Sequence, residues 1–296
     1  MENGQVTSRD GTRIGFQRQG RGPGLVLVQG AMGTAYNFND LARALSAHFT
    51  VYTPDRRGRG MSPKNYSSEH TIARDVQDLE ALLAEAGTGY VFGLSSGAVI
   101  TLEAARTLPR ITRAAVYEPP FYPRGISHDG IRRLNTDIEN GRLAAALAGS
   151  LRTSGTAPAL LQGLPKFAAR LLAGAVLAID GRKPGPAPKL RDMLPGIRYD
   201  FNVVGGMDGK MATFRSVDKP MLLLSGTRSP AFLRQSIREL AGVLPQATHI
   251  EFDGLDHGGS WNNGRPEVVA AALRKFFVEG EQRVGQQGGE AQVGRA

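Results

Sequence analysis

The sequence predicts an α/β fold, a mostly parallel sheet of eight strands flanked by helices. Three observations predict it. Short β-rich runs alternate with amphipathic helical patterns, most of the runs are continuously apolar as strands covered on both faces are, and 296 residues with 41% hydrophobic content supply a large core.

The opening is a hairpin: Asp10-Gly11 sits between the short alternating segments GQVTSR and TRIGFQR, and Asp-Gly is a favoured hairpin turn. Six further runs follow: LVLVQG from Leu25, FTVYTPD from Phe49, YVFGLS from Tyr90, AAVYEP from Ala114, MLLLSGT from Met221 and THIEFDG from Thr248. Between and after them, FNDLARALSAHF, ARDVQDLEALLAEAG, GAVITLEAARTLP, PAFLRQSIRELAGVLP and RPEVVAAALRKFF space apolar residues three and four apart, the helical period. One interval breaks the rhythm, because the chain from Pro119 to Met221 is too long for a structureless loop. Its segments IRRLNTDIENGRLAAALAGSL and LPKFAARLLAGAVLAI read as helices and GRKPGPAPK as a connector. Residues 121–215 are therefore expected to form a helical lid inserted after the sixth strand, with 1–120 and 216–280 as the core. Residues 281–296, rich in Gly and Gln and poor in apolar residues, are expected to be disordered.

Composition excludes several classes. There is no cysteine, which removes disulfides, thiolate metal sites and a cysteine nucleophile. No stretch has the length of apolar residues that a membrane span requires, and the polar opening MENGQVTSRDG lacks a signal-type apolar region, so a soluble cytoplasmic protein without a membrane partner is expected. The net charge of +9 comes from scattered arginines without a nucleic-acid-binding module, and no nucleic-acid partner is expected. Most of the excess lies in the expected lid, where fourteen Lys and Arg face seven Asp and Glu.

Gly93-Leu94-Ser95-Ser96-Gly97 joins the run YVF to the helix AVITLEAAR, which is G-x-S-x-G in the strand-turn-helix context that a nucleophile elbow needs. The sharp turn strains the central residue, and close packing on either side demands glycine. Ser95 holds the central position, and the adjacent helix N-terminus favours developing negative charge.

With VQGAMG after the strand at Leu25 and Asp55-Arg56-Arg57-Gly58-Arg59-Gly60-Met61-Ser62 after the next, the elbow completes three ordered motifs over residues 1–280 that resemble those of the α/β-hydrolase family. VQGAMG stands where that family has an HG loop, with Gln29 in place of histidine, and the second segment matches D-x-R-G-x-G-x-S. The resemblance implies an oxyanion hole from the backbone N–H groups of Ser96 and Ala31, with Asp55 and Arg56 structural.

A serine hydroxyl needs a base to take its proton. Among five histidines, His257 follows the last strand in FDGLDHGGSW, just before the final helix, and the order serine before histidine is the order of that family. His48, His70, His128 and His249 read as surface or core residues. The customary acid position after MLLLSGT holds Gly226-Thr227-Arg228-Ser229-Pro230, without a carboxylate. Glu118, at the end of the sixth strand in VYEPPF, is the candidate acid, since parallel strands present ligand sites at their carboxyl ends. Its placement is similar to that in some haloalkane dehalogenases and in zearalenone-type lactonases, and the latter also have a similar elbow and an acid followed by proline. Asp253 is the alternative; Asp256 is poorer because adjacent side chains diverge; a water-supported dyad with Ser229 is a further option.

The expected activity is hydrolysis of a carboxylic ester or lactone through an acyl-enzyme on Ser95, without metal or cofactor, on a small-molecule substrate. The basic lid suggests an acidic or carrier-bound substrate, which keeps thioester cleavage or acyl transfer open. A ligand-binding or non-hydrolytic member of the fold is the third reading. Dehalogenase and epoxide hydrolase chemistry both need an aspartate where Ser95 stands. Gly30, Met32, Phe121, Tyr122 and Trp261, near the named loops, are the expected pocket residues.

Overall fold

The structure, a computed structural model, describes residues 1–63, 65–157 and 163–278; the tail 281–296 lies outside the described residues. Eight strands, β1 Glu2–Thr7, β2 Arg13–Gly20, β3 Gly24–Val28, β4 Thr50–Pro54, β5 Tyr90–Leu94, β6 Arg113–Tyr117, β7 Met221–Gly226 and β8 Ala247–Phe252, form one sheet in the order β1-β2-β4-β3-β5-β6-β7-β8. β1 and β2 are the antiparallel hairpin, turned by Asp10, whose carboxylate accepts from the Thr12 N–H at 3.0 Å, and by Gly11 at φ 80°. β2 pairs antiparallel with β4, and the remaining pairings are parallel.

The alternation of side chains along each strand sorts the core into two layers. Leu25 and Leu27 of β3, Phe92 of β5, Tyr117 of β6 and Leu222 of β7 face one side. There they meet α1 (Asn39–Leu45) and a helix over residues 266–278, α10, through Leu41, Leu45, Leu273 and Phe277. Val26, Val91, Val116 and Leu223 face the other side. They are covered by α2 (Ile72–Glu85), α3 (Ser96–Thr107) and α9 (Ala231–Val243) through Leu79, Val99 and Ile237. No helix of the described residues is long and apolar enough to cross a membrane.

Between β6 and β7 the chain forms α4 (His128–Glu139), α5 (Leu143–Thr153), α6 (Lys166–Arg182), α7 (Leu190–Met193) and α8 (Ile197–Gly206). Gly141, at φ 67°, divides into α4 and α5 what reads as one helical stretch. The inserted helices gather apolar side chains of their own, Ile126, Leu134, Ile197, Phe201 and Val204 in one cluster and Leu147, Ala173 and Leu194 in another. Met32, from the loop after β3, packs against both clusters and so ties them to the sheet.

Candidate active site

β5 stops at Leu94 and α3 starts at Ser96, leaving Ser95 on the bend at φ 57°, ψ −122°. Few non-glycine residues occupy that region, and a structure that holds one there over-determines it. Packing explains the flanking glycines. A Cβ on Gly97 would lie 2.4 Å from the carbonyl oxygens of Val28 and Gln29, and one on Gly93 would lie 2.4 Å from the Gly97 oxygen. The Ser95 N–H donates to the Tyr117 carbonyl at 2.9 Å, so β6 holds the elbow from the side.

Ser96 is the first residue of α3, and its N–H belongs to the donors that a helix N-terminus leaves without an intrahelical acceptor. Opposite, the loop after β3 makes a tight turn: Gly33 N–H donates to the Gly30 carbonyl at 3.2 Å and Met32 takes φ 59°. Gly30 lies against the elbow, for a Cβ there would come within 2.8 Å of Ser95 Cβ. Gln29, where the family pattern has histidine, is fully buried and donates to the Pro54 carbonyl at 2.6 Å, a structural contact. Asp55 is structural too: its carboxylate accepts from the Ala35 and Met61 N–H groups at 2.7 and 2.8 Å, and burial pushes the carboxyl above its ordinary value.

Glu118 follows β6 and is wholly buried. One carboxylate oxygen accepts from the Gly226 N–H at 2.8 Å and the other lies 2.8 Å from His257 Nδ1. Its backbone, at φ 47°, is the third non-glycine residue with positive φ among the described residues, beside Met32 and Ser95. Met32 and Ser95 line one cavity with His257, the partner of Glu118. The loop that carries His257 is anchored by Tyr117, whose hydroxyl donates to the Asp256 carbonyl at 2.7 Å. Burial and the neighbouring Glu118 charge push that phenol well above its ordinary value, so it stays a donor.

The other acid candidates point elsewhere. Asp253 accepts from the Thr227 hydroxyl at 3.2 Å, Asp256 from the Gly258 N–H at 2.9 Å, and the buried Ser229 hydroxyl has no hydrogen-bond partner among the described residues.

Ser95 and His257 both line a cavity of about 340 Å³, walled by Gly30, Ala31, Met32 and Trp261 and by Leu147, Leu151, Ile197 and Phe201 of the inserted helices. A side pocket of about 50 Å³ continues past Tyr122, Phe232 and Val204. Phe121, an expected pocket residue, instead packs in the core, its ring 5.8 Å from that of Phe214. It sits on the buried side of the turn after Glu118, while Tyr122 faces the cleft. Larger concavities of about 680 and 740 Å³ contain neither Ser95 nor His257.

Comparison with known proteins agrees with this architecture: the model of the alpha/beta hydrolase family matches residues 25–272. The chain belongs to that family. This α/β-hydrolase is similar over 93% of its length to a crystal structure of an alpha/beta hydrolase from Sphaerobacter thermophilus, at 33% identity and a TM-score of 0.72, covering 100% of that chain. It is 28% identical to the pimeloyl-[acyl-carrier protein] methyl ester esterase of Stenotrophomonas maltophilia, over 88% of this chain and 94% of that protein. A match of 35% identity to an uncharacterized hydrolase of Bacillus subtilis spans 38% of this chain and 42% of that protein.

Two features escaped the sequence reading. The cavity wall from α5 and α8 was not assigned, since those residues look like ordinary helix-face apolar positions. Asp200 of α8 was also missed. It is 2% exposed and bonds to Arg56, Arg59 and the Ser96 hydroxyl. A signal was there: Arg56 reads as structural from the resemblance, DRRGRG places a further arginine, Arg59, beside it, and buried guanidiniums need acidic partners.

Proposed function

We propose that this α/β-hydrolase is a serine hydrolase that cleaves a neutral, largely apolar carboxylic ester or lactone. The observation that carries the reading is the 2.8 Å contact between the buried Glu118 carboxylate and His257 Nδ1, in a histidine that shares a cavity with Ser95. The carboxylate fixes the imidazole tautomer, leaving Nε2 free to accept a proton. His257 takes the Ser95 hydroxyl proton as Oγ bonds to the acyl carbon, and the carbonyl π electrons move onto oxygen. The Ala31 and Ser96 N–H groups hold that oxyanion. Collapse expels the alkoxide, which takes the proton from His257, and leaves an acyl-enzyme. Water, deprotonated by His257, then attacks the acyl carbon, and the carboxylic acid departs as Ser95 regains its proton.

Residues 121–215 serve as the lid, and their side chains supply the substrate-facing wall. The basic charge of the lid does not line the 340 Å³ cavity, whose lining contains no Lys, Arg, Asp or Glu. In the adjoining side pocket the one charged lining residue, Asp200, is already paired with Arg56 and Arg59, so an ionic substrate would lack a free counter-charge, which is why the substrate class is neutral.

A second reading is favoured by where that charge lies. Arg132, Arg133, Arg142, Arg170, Arg182 and Arg191 are exposed on the lid exterior, which suits an acyl group held inside while an acidic carrier rests outside. A panel of p-nitrophenyl esters, lactones and acyl thioesters separates the two, and labelling with a fluorophosphonate that disappears in Ser95→Ala tests the nucleophile. Unaltered labelling of that variant would sink both readings.

A further inference from the structure

Two arginines beside the elbow hold three parts of the site in one buried network. Arg56 donates to the Ser96 hydroxyl at 3.0 Å, to the Gln29 carbonyl at 3.3 Å, to Asp75 at 3.3 Å and to Asp200 at 2.6 Å. Arg59 donates to the Gly30 and Gly33 carbonyls, both at 3.1 Å, to the Gly196 carbonyl at 3.3 Å and to the other oxygen of Asp200. The Ser96 hydroxyl in turn donates to Asp200 at 2.7 Å. Gly30 precedes Ala31, and Ser96 follows Ser95, so the carbonyls and hydroxyl gripped here belong to the two segments assigned above as the oxyanion donors.

We propose that Asp200 is a positioning residue of the oxyanion hole, which lets the inserted helices set the geometry of the Ala31 and Ser96 donors. The inference rests on the serine-hydrolase reading above and adds to it a dependence on the insertion.

The physical case is one of charge and directed bonds. Two guanidiniums packed side by side repel each other, and burial lowers the Arg59 value. Asp75 faces Arg56 from α2, and its second oxygen is taken by His70 Nε2 at 2.6 Å. Asp200 is the carboxylate that touches both arginines, one oxygen each. Without its charge, the pair keeps a single carboxylate in contact, Asp75 on Arg56, for two buried cations, a strongly unfavourable state. The fork geometry of each guanidinium then loses the anchor that aims its other N–H groups at the Gln29, Gly30 and Gly33 carbonyls. Donors held within a few tenths of an ångström of the oxyanion position drift, and the stabilisation of the tetrahedral intermediate falls with them. Ground-state binding rests mainly on the apolar wall of the 340 Å³ cavity, which Asp200 does not line, and changes little, since Asp200 borders the 50 Å³ side pocket alone.

The test uses the full chain with Asp200→Asn, assayed on p-nitrophenyl butyrate well below its melting temperature, with folding checked by circular dichroism. The expected result is a kcat lower by about a hundredfold, as for loss of one oxyanion donor, with KM changed by less than about threefold. Affinity for phenylboronic acid, which forms a tetrahedral adduct on the nucleophile, should fall by a similar factor to kcat. A residue that serves folding alone would lower the melting temperature and leave both readouts unmoved, and that result overturns the proposal. If Asp200→Asn does not fold, Arg59→Lys carries the same test, since it keeps the positive charge and loses the fork; unchanged kcat and boronate affinity in that variant overturn it equally. Ser95→Ala runs alongside. If it retains turnover, the serine-hydrolase reading itself fails, whereas its inactivity combined with an unaltered Asp200→Asn fails the positioning role alone.

Discussion

Glu118 and His257, 139 positions apart, meet with Oε2 and Nδ1 at 2.8 Å, and the carboxylate side of this pair is sealed from solvent while 27% of the histidine side chain remains exposed. Such asymmetry suits a buried acid that orients and an imidazole that works on a ligand. Replacing the acid by its amide keeps the shape and reverses the hydrogen-bond preference at Nδ1. Glu118→Gln is therefore expected to lower kcat by about 10⁴-fold, the size seen when a triad histidine is held in the wrong tautomer, while Asp253→Asn stays within a few-fold of the parent. Steady-state kinetics on a p-nitrophenyl ester checks both, and the opposite ranking would transfer the acid role to Asp253.

Gly30 lies so close to the elbow that a methyl group there must displace Ser95. Gly30→Ala is expected to reduce kcat by about a hundredfold, the cost of roughly an ångström of misplacement, with the melting temperature nearly unchanged. Comparable turnover in parent and variant would show that the nucleophile tolerates the shift.

The cavity wall contributed by α5 predicts selectivity. Leu151→Trp fills space that an acyl chain would use, so the kcat/KM ratio of octanoate to acetate p-nitrophenyl esters should fall by about tenfold or more, given 1–3 kcal/mol per misfitted methylene. A ratio that stays constant would place the acyl chain elsewhere.

Stability should depend on acid through Asp75. Burial acts to raise this carboxyl, but the His70 hydrogen bond and the Arg56, His70 and Arg57 charges outweigh it, and the group sits below its ordinary value. The folded chain thus releases the proton more readily than the unfolded one. The resulting stability is complete above the ordinary carboxylate range, about pH 4, and is lost as pH falls through the lowered folded value. The gap between the urea midpoints of parent and Asp75→Asn should hold from neutral pH down to about pH 4 and narrow steadily below it; a gap that persists unchanged into stronger acid contradicts this.

Much of the fold was legible because strand burial leaves a direct trace: Leu25 to Val28, Val91 to Leu94 and Met221 to Leu224 are continuously apolar, and the elbow glycines stand where the chain crowds itself, Gly93 against α3 and Gly97 against the end of β3. α8 was not legible, because it is short, Pro195-Gly196 and Gly205-Gly206 mark its two ends as turns would, and its apolar positions match those of any packed helix. The link between Asp200 and the DRRGRG turn was hidden for a different reason. It is a tertiary contact across 141 positions in the case of Arg59, and single-sequence spacing holds no information about it. Phe121 and Tyr122 show the same limit at short range, since neighbouring aromatic rings leave a turn on opposite sides.

Because the candidate acid sits after β6, the end of β7 meets the Glu118–His257 pair through a backbone group, the Gly226 amide. The stretch beyond it carries no carboxylate and serves instead as a brace: the Thr227 and Arg228 N–H groups donate to the Phe252 and Leu255 carbonyls and the Thr227 hydroxyl accepts from the Gly254 N–H, so a change of length there would swing the loop that presents His257.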